Sequence, residues 1–151
     1  MTAGSVVSFE SASSGRFERE QQFDLYCLLL RQFIEPVFGW DEAFQRQRFE
    51  NEYPEELVQV ILVGQNCAGI VVVLKQVESH HVALLLLHPH FQRRGVGREV
   101  MFHILANAKS RRKRVTLSCF AKNQPAVQFY KSIGFSITSK EPNFIVLSSA
   151  A

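Results

Sequence analysis

The stretch LLLLHPHFQRRGVGREVMFHIL, which begins at Leu84, holds the residues whose types and spacing point most directly to chemistry. A run of leucines stops at His88, Pro89 and His90, passes through Gln92, Arg93, Arg94, Gly95, Val96 and Gly97, and becomes an amphipathic segment with almost no linker. A strand that enters a helix through a glycine turn aims unpaired N–H donors, and the positive end of the helix dipole, at whatever lies over the turn. Gly95 and Gly97 let backbone approach a ligand with no Cβ in the way, and Arg93, Arg94 and Arg98 add cations around it. The expected ligand is a phosphate-like anion. The competing reading is that the two glycines only shape a tight turn.

The elements that must position this turn follow from periodicity. SVVSFE reads as a short first strand, and SASSG as a loop after it. From Glu20 to Phe38 apolar residues recur at helical spacing until Pro36 and Gly39, and Asp41 is the expected N-cap of a second helix that ends before Pro54. LVQVILVGQNCAGIVVVLKQ reads as a hairpin and HHVALLLLH as a third strand, whose continuous apolar run predicts burial on both faces. Residues 96–109 form the next helix and VTLSCF a strand. NQPAVQFYKSIGF is a helix with Pro125 in its first turn and Gly134 at its C-terminal end, and FSITS and NFIVLSS close the sheet as a hairpin. The predicted order is strand, two helices, three strands, helix, strand, helix, two strands.

Composition bounds the function. The chain of 151 residues is expected to form one domain, with residues 1–15 a short strand and a flexible end. Its 46% hydrophobic and 21% charged residues are those of a globular protein, and no apolar stretch is long enough to predict a membrane span. The beginning has neither a basic nor an apolar leader region, so a cytoplasmic protein is expected. Cys27, Cys67 and Cys119 stand in apolar contexts at unrelated spacings, which suits free thiols rather than a disulfide or metal site. The formal charge is +3, and KSRRKR at 109–114 reads as a solvated helix end or as a contact for an anionic partner. It lacks the interleaved aromatics of a nucleic-acid surface, so no nucleic-acid partner is expected.

The element order, QRRGVG after the leucine strand, and NQPAVQFYKSIGF near the end together resemble the GNAT superfamily of acetyl-CoA-dependent N-acetyltransferases, over residues 20–150. Gln92, Gly95 and Gly97 fill the superfamily's phosphate-binding pattern, and Asn123, Tyr130 and the Gly134-Phe135 pair fill its second block. The resemblance implies an α/β (α+β) fold: a mixed, mostly antiparallel sheet with a splayed V between two central strands and helices on both faces. It implies acetyl-CoA as co-substrate, its pantetheine arm along the main chain of Leu85, Leu86 and Leu87, and its phosphates on Gln92, Arg93, Arg94, Gly95, Val96, Gly97 and Arg98. Asn123 and Phe129 complete the implied cofactor contacts, and no metal is expected. The implied acceptor is an amine of a small molecule or peptide, and the implied assembly a monomer or homodimer. The fold without the reaction, a coenzyme A-binding regulatory module, is the alternative.

Amide formation from a thioester needs a neutral amine, a polarised carbonyl and a proton for the departing thiolate. Tyr130 aligns with the tyrosine that meets the thioester sulfur in the superfamily. At the positions where some members carry a glutamate base the chain has Ala83 and Ser118. The task then falls to Glu35, Asp41, Glu42, Glu78, His80 or His81, or to water, and the expectation is that no single residue owns it. His88 and His90 have a metal-like spacing with no third ligand, and read as strand-end residues. In the FGWDEAFQ corner, Trp40 stacking on an acceptor and Asp41 or Glu42 holding its ammonium competes with a packed Trp40 and a helix-capping Asp41.

Overall fold

The computed structural model describes residues 6–150. The chain divides into two compact units, one taking in the residues up to Val72 together with Leu84–Val100, the other Val73–Ala83 together with the chain from Met101 onward.

In the first unit, β1 (Val7–Ser11) pairs antiparallel with β2 (Val58–Val63), and β2 with β3 (Asn66–Lys75). Between β1 and β2 lie α1 (Arg19–Phe38) and α2 (Glu42–Glu52). The Glu18 N–H donates to Gln21 Oε1 at 2.9 Å, which closes the start of α1. Pro36 sits inside the last turn of α1 without stopping it, and the helix ends at Gly39, whose φ of 73° suits glycine. Asp41 caps α2 as expected, its Oδ1 accepting from the Phe44 N–H at 3.1 Å. The two helices share a ring cluster in which Phe49 lies 5.2 Å from Tyr26 and 5.7 Å from Phe23. Buried Gln45 accepts from the Tyr26 hydroxyl at 2.9 Å, so this polar side chain is satisfied inside the cluster. SASSG contains a short 3₁₀ turn, Ala12–Ser14, and Ser5 of the predicted first strand lies outside the described residues.

β4 (Ser79–Leu87) contributes to both units. In the first, Gly69 of β3 faces it so closely that a Cβ there would overlap the carbonyl oxygen of Leu86. The His88 N–H donates to Ala68 O at 2.8 Å. Because strand carbonyls alternate, Leu86 turns its main-chain groups toward β3 while Leu85 and Leu87 turn theirs to the other edge.

In the second unit β4 pairs parallel with β5 (Arg114–Phe120), and among the described residues that ladder runs from Ser79↔Arg114 to Val82↔Leu117. β5 pairs antiparallel with β7 (Phe144–Ser148), and β7 with β6 (Ser136–Lys140). The strand order is β1-β2-β3-β4-β5-β7-β6, a seven-stranded open sheet, and β4–β5 is the parallel pair among the described ladders. α3 (Val96–Ser110) connects β4 to β5, and α4 (Gln124–Ser132) follows β5. Val115, Leu117, Cys119, Val127, Tyr130, Phe135 and Leu147 form the buried core of this unit.

The order of strands and helices is the one predicted. The burial of β4 is not. Its residues alternate, with His80, Val82, Leu84 and Leu86 buried and His81, Ala83, Leu85 and Leu87 only partly covered. One face of the leucine strand is thus only partly covered, where the apolar run predicts full cover on both.

Candidate functional site

The turn after β4 is built from local constraints. Pro89 cannot extend the ladder, and Pro89–Phe91 form a 3₁₀ turn capped by the side chain of His88, whose Nδ1 accepts from the His90 N–H at 3.1 Å. Both histidines are thereby part of the turn. Gln92 folds back, its Nε2 donating to Leu87 O at 2.9 Å. Arg93 at φ 60° and Gly95 at φ 79° then reverse the chain so that α3 starts at Val96. Helical bonding begins with the Glu99 N–H on Gly95 O at 3.0 Å, which leaves the Val96 and Gly97 amides ahead of the ladder at the positive helix end. A Cβ on Gly95 would meet nothing within 4 Å, so the space over the turn is open. Gly97 belongs to the first turn of α3; of the two motif glycines, Gly95 is the one at positive φ.

The alternation of main-chain groups along β4 refines the expected main-chain contacts. Leu86 is committed to β3, and the Leu87 carbonyl accepts from Gln92. Leu85 and the Leu87 N–H are the groups directed to the other edge.

In the second unit, Asn123 opens α4 as predicted, its Oδ1 accepting from the Ala126 N–H at 3.3 Å. Tyr130 is buried against Phe129 and Phe135, with ring centroids at 5.1 and 5.6 Å. Desolvation, and after it the nearby Cys119, hold its phenol well above the usual value. Burial likewise pushes the Cys119 thiol up to about 11. Tyr130 therefore stays protonated at neutral pH, as a hydrogen-bond donor should.

At the α1–α2 corner, the Arg31 guanidinium lies 5.1 Å from the Trp40 ring and also pairs with Glu35 at 2.8 Å. Trp40 Nε1 is buried with no hydrogen-bond partner among the described residues. Asp41 is spent on its cap, whereas Glu42 starts α2 exposed. Elsewhere in the first unit a cavity of about 250 Å³ is lined by Phe17, Asp24, Leu28, Cys67, Gly69 and His88 among others.

His81, one of the candidate bases expected from the sequence, has partners that the sequence did not point to. On the open face of the second unit, His81 Nδ1 lies 2.8 Å from Thr116 Oγ1. Thr116 Oγ1 lies 3.5 Å from Ser79 Oγ, and the Ser79 hydroxyl donates to Gln76 Oε1 at 3.2 Å. Desolvation lowers the pKa of His81 below the ordinary histidine value. His80 is buried on the opposite face, its pKa lowered by desolvation and then by Lys75, Arg111 and Lys113.

Comparison with known proteins gives this geometry a context. Residues 23–135 match the acetyltransferase (GNAT) family. The peptidyl-lysine N-acetyltransferase YiaC of Escherichia coli (strain K12) is 33% identical over 60 residues, 40% of this chain. The match takes in 38% of that enzyme's own length. Among solved structures, a GNAT family acetyltransferase from Elizabethkingia anophelis with acetyl-CoA bound superposes with a TM-score of 0.68 at 13% identity, covering 98% of this chain and 100% of that one. The PaiA N-acetyltransferase from Thermoplasma acidophilum in complex with coenzyme A gives 0.67 at 10% identity, over 96% and 99% of the two chains.

Proposed function

Because the chain belongs to the acetyltransferase (GNAT) family, we propose that it transfers the acetyl group of acetyl-CoA to a primary amine of a small molecule or peptide by direct attack. The observation that carries this reading is the turn from Gln92 to Gly97. Gly95 at positive φ, open space above it and helix amides ahead of the ladder fit a pyrophosphate better than a plain connection does. Arg93, Arg94 and Arg98 supply cations, Val96 anchors the helix start in the core, and Leu85 and the Leu87 N–H offer main-chain groups to the amides of the pantetheine arm. Asn123 and Phe129 are assigned to the same co-substrate.

Tyr130 acts on the leaving group. As the amine nitrogen bonds to the thioester carbon and the C–S bond breaks, the phenol stabilises or protonates the thiolate. Its raised pKa suits a group that must enter the reaction protonated. For the acceptor, Trp40 Nε1–H is a buried donor that a carbonyl of the acceptor would satisfy, and Glu42 is an anion for its ammonium. Asp41 contributes as the cap that fixes the corner.

The test is a panel of amines, including lysine-bearing and free N-terminal peptides, incubated with acetyl-CoA and read by mass spectrometry and thiol release. Acetylated product with equal thiol supports the reading. Tight acetyl-CoA binding with no turnover on any acceptor would replace it by the coenzyme A-binding module.

A further inference from the structure

We propose that His81 is the group that takes the proton from the acceptor amine, with Thr116, Ser79 and Gln76 fixing which ring nitrogen does so; the inference rests on the acetyltransfer reading above.

Hydrogen-bond polarity along the chain of side chains sets the protonated nitrogen. An amide oxygen can only accept, so the Ser79 hydroxyl gives its proton to Gln76 Oε1. Ser79 Oγ is then left to accept from the Thr116 hydroxyl, across the longest link of the chain at 3.5 Å. With its proton directed there, Thr116 Oγ1 accepts from His81 across 2.8 Å, which places the hydrogen on Nδ1. Nε2 keeps its lone pair. One amide oxygen thus determines, through two hydroxyls, the tautomer of a histidine.

The surroundings suit the task. His81 and Thr116 are register partners on the open face, and Ala83 and Ser118, each two residues further along its strand, continue that face with small side chains. Ser118 is exposed, so the shelf beside the imidazole admits a ligand. Arg114, two residues before Thr116, is the charged group that β5 places on this face; Ser148 is the β7 partner of Thr116 and does not titrate. His80 alternates to the other side of β4, and Glu78 lies in the bend before the strand. Desolvation keeps the imidazole neutral at pH 7, ready to accept. Tyr130 neighbours Cys119, whose side chain alternates away from Thr116 and Ser118, so the proton acceptor and the proton donor work from opposite faces of β5.

The protons balance. An ammonium acceptor loses two protons in becoming an amide: one passes to Nε2 and from there to solvent, and the other is matched by the proton that the thiolate takes up. The C–N bond forms as the C–S bond breaks.

The experiment is the pH profile of kcat for the wild type, His81→Gln, Thr116→Val and Thr116→Ser, with coenzyme A affinity measured alongside. His81→Gln should lose about a hundredfold or more in kcat, with affinity for coenzyme A kept and the acidic limb belonging to the enzyme gone. Thr116→Val should lose less and Thr116→Ser should restore it. Long-range ¹H–¹⁵N spectra of the free protein supply a readout independent of any acceptor: His81 should show the proton on Nδ1, and Thr116→Val should release that preference. A wild-type enzyme that acetylates amines while His81→Gln keeps its rate and limb overturns the role of His81 alone. So does a proton found on Nε2. Absence of transfer by the wild type to every amine overturns the acetyltransfer reading, and this role with it.

Discussion

Replacing Gly69 by alanine should damage the strand that carries the proposed phosphate turn. The added Cβ would overlap Leu86 O and stand 2.9 Å from Leu86 C and 3.0 Å from Leu87 Cα, all backbone atoms that no rotamer change can move. Ordinary carbon contacts are about 3.5–4.0 Å, so β3 and β4 must part by about 1 Å there. The His88 N–H to Ala68 O bond, 2.8 Å in the structure, would then stretch past hydrogen-bonding distance. Overpacking costs about 1–3 kcal/mol and a lost ladder bond about 1 more, a total of about 2–4 kcal/mol. For a chain of this size that corresponds to a melting point lower by about 10 °C. Coenzyme A affinity should fall too, because the same displacement turns Leu85 and Leu87 at the open edge. The control is Gly64→Ala: at φ 61° with nothing within 4 Å, it pays only for left-handed backbone, about 1 kcal/mol, and leaves the co-substrate untouched. Thermal unfolding and calorimetric titration of the two variants decide the matter. A Gly69→Ala protein that melts within about 2 °C of the wild type would refute the close-approach argument.

Other outcomes are expected at the turn, the phenol and the buried imidazole. Gly95→Val puts a β-branched side chain at φ 79° and into the open space over the turn, so calorimetry should find coenzyme A binding abolished in a folded protein; unchanged affinity would remove the phosphate assignment. Tyr130→Phe keeps the ring packing and removes the hydroxyl, so kcat should fall with little change in the KM for acetyl-CoA, whereas normal turnover would make Tyr130 a packing residue. His80 titrates below the ordinary value of about 6.5 when folded, so below that pH the unfolded chain binds more protons and stability falls as pH drops toward the folded value. His80→Gln should flatten that slope in denaturant titrations at several pH values.

What the sequence made legible was what is encoded locally. Pro89 as a ladder stop, Asp41 and Asn123 as N-caps, Pro125 in a first turn and Gly134 at positive φ each act within a few residues of themselves. The glycine turn after β4 was readable for the same reason, although its actual geometry puts an arginine, Arg93, in left-handed backbone and leaves Gly97 to the helix. Burial of the leucine strand was not readable. Leucine at every position gives no alternation, so the run cannot tell a covered face from an open one; here Leu84 and Leu86 are buried and Leu85 and Leu87 are not. Nor was the His81–Thr116 pair, which joins residues 35 apart through a parallel register set by the α3 crossover. No periodicity fixes that register, and a one-residue slip would have put Thr116 on the opposite face.

Ala83 and Ser118, seen from the sequence, look like missing bases; the open face suggests a different reading. A carboxylate at either position would be ionised throughout the neutral range, and its field would raise the pKa of the acceptor amine that it must deprotonate. A neutral imidazole exerts no such field. It takes the proton without first strengthening the amine's hold on it, and then becomes a cation that repels a second ammonium. The small residues beside it leave room for the acceptor. Gln76, a neutral amide, is a suitable end for the chain that orients His81. A glutamate in its place would also fix the Nδ1–H tautomer, but its charge would raise the imidazole's pKa and leave it protonated at the pH where it must accept.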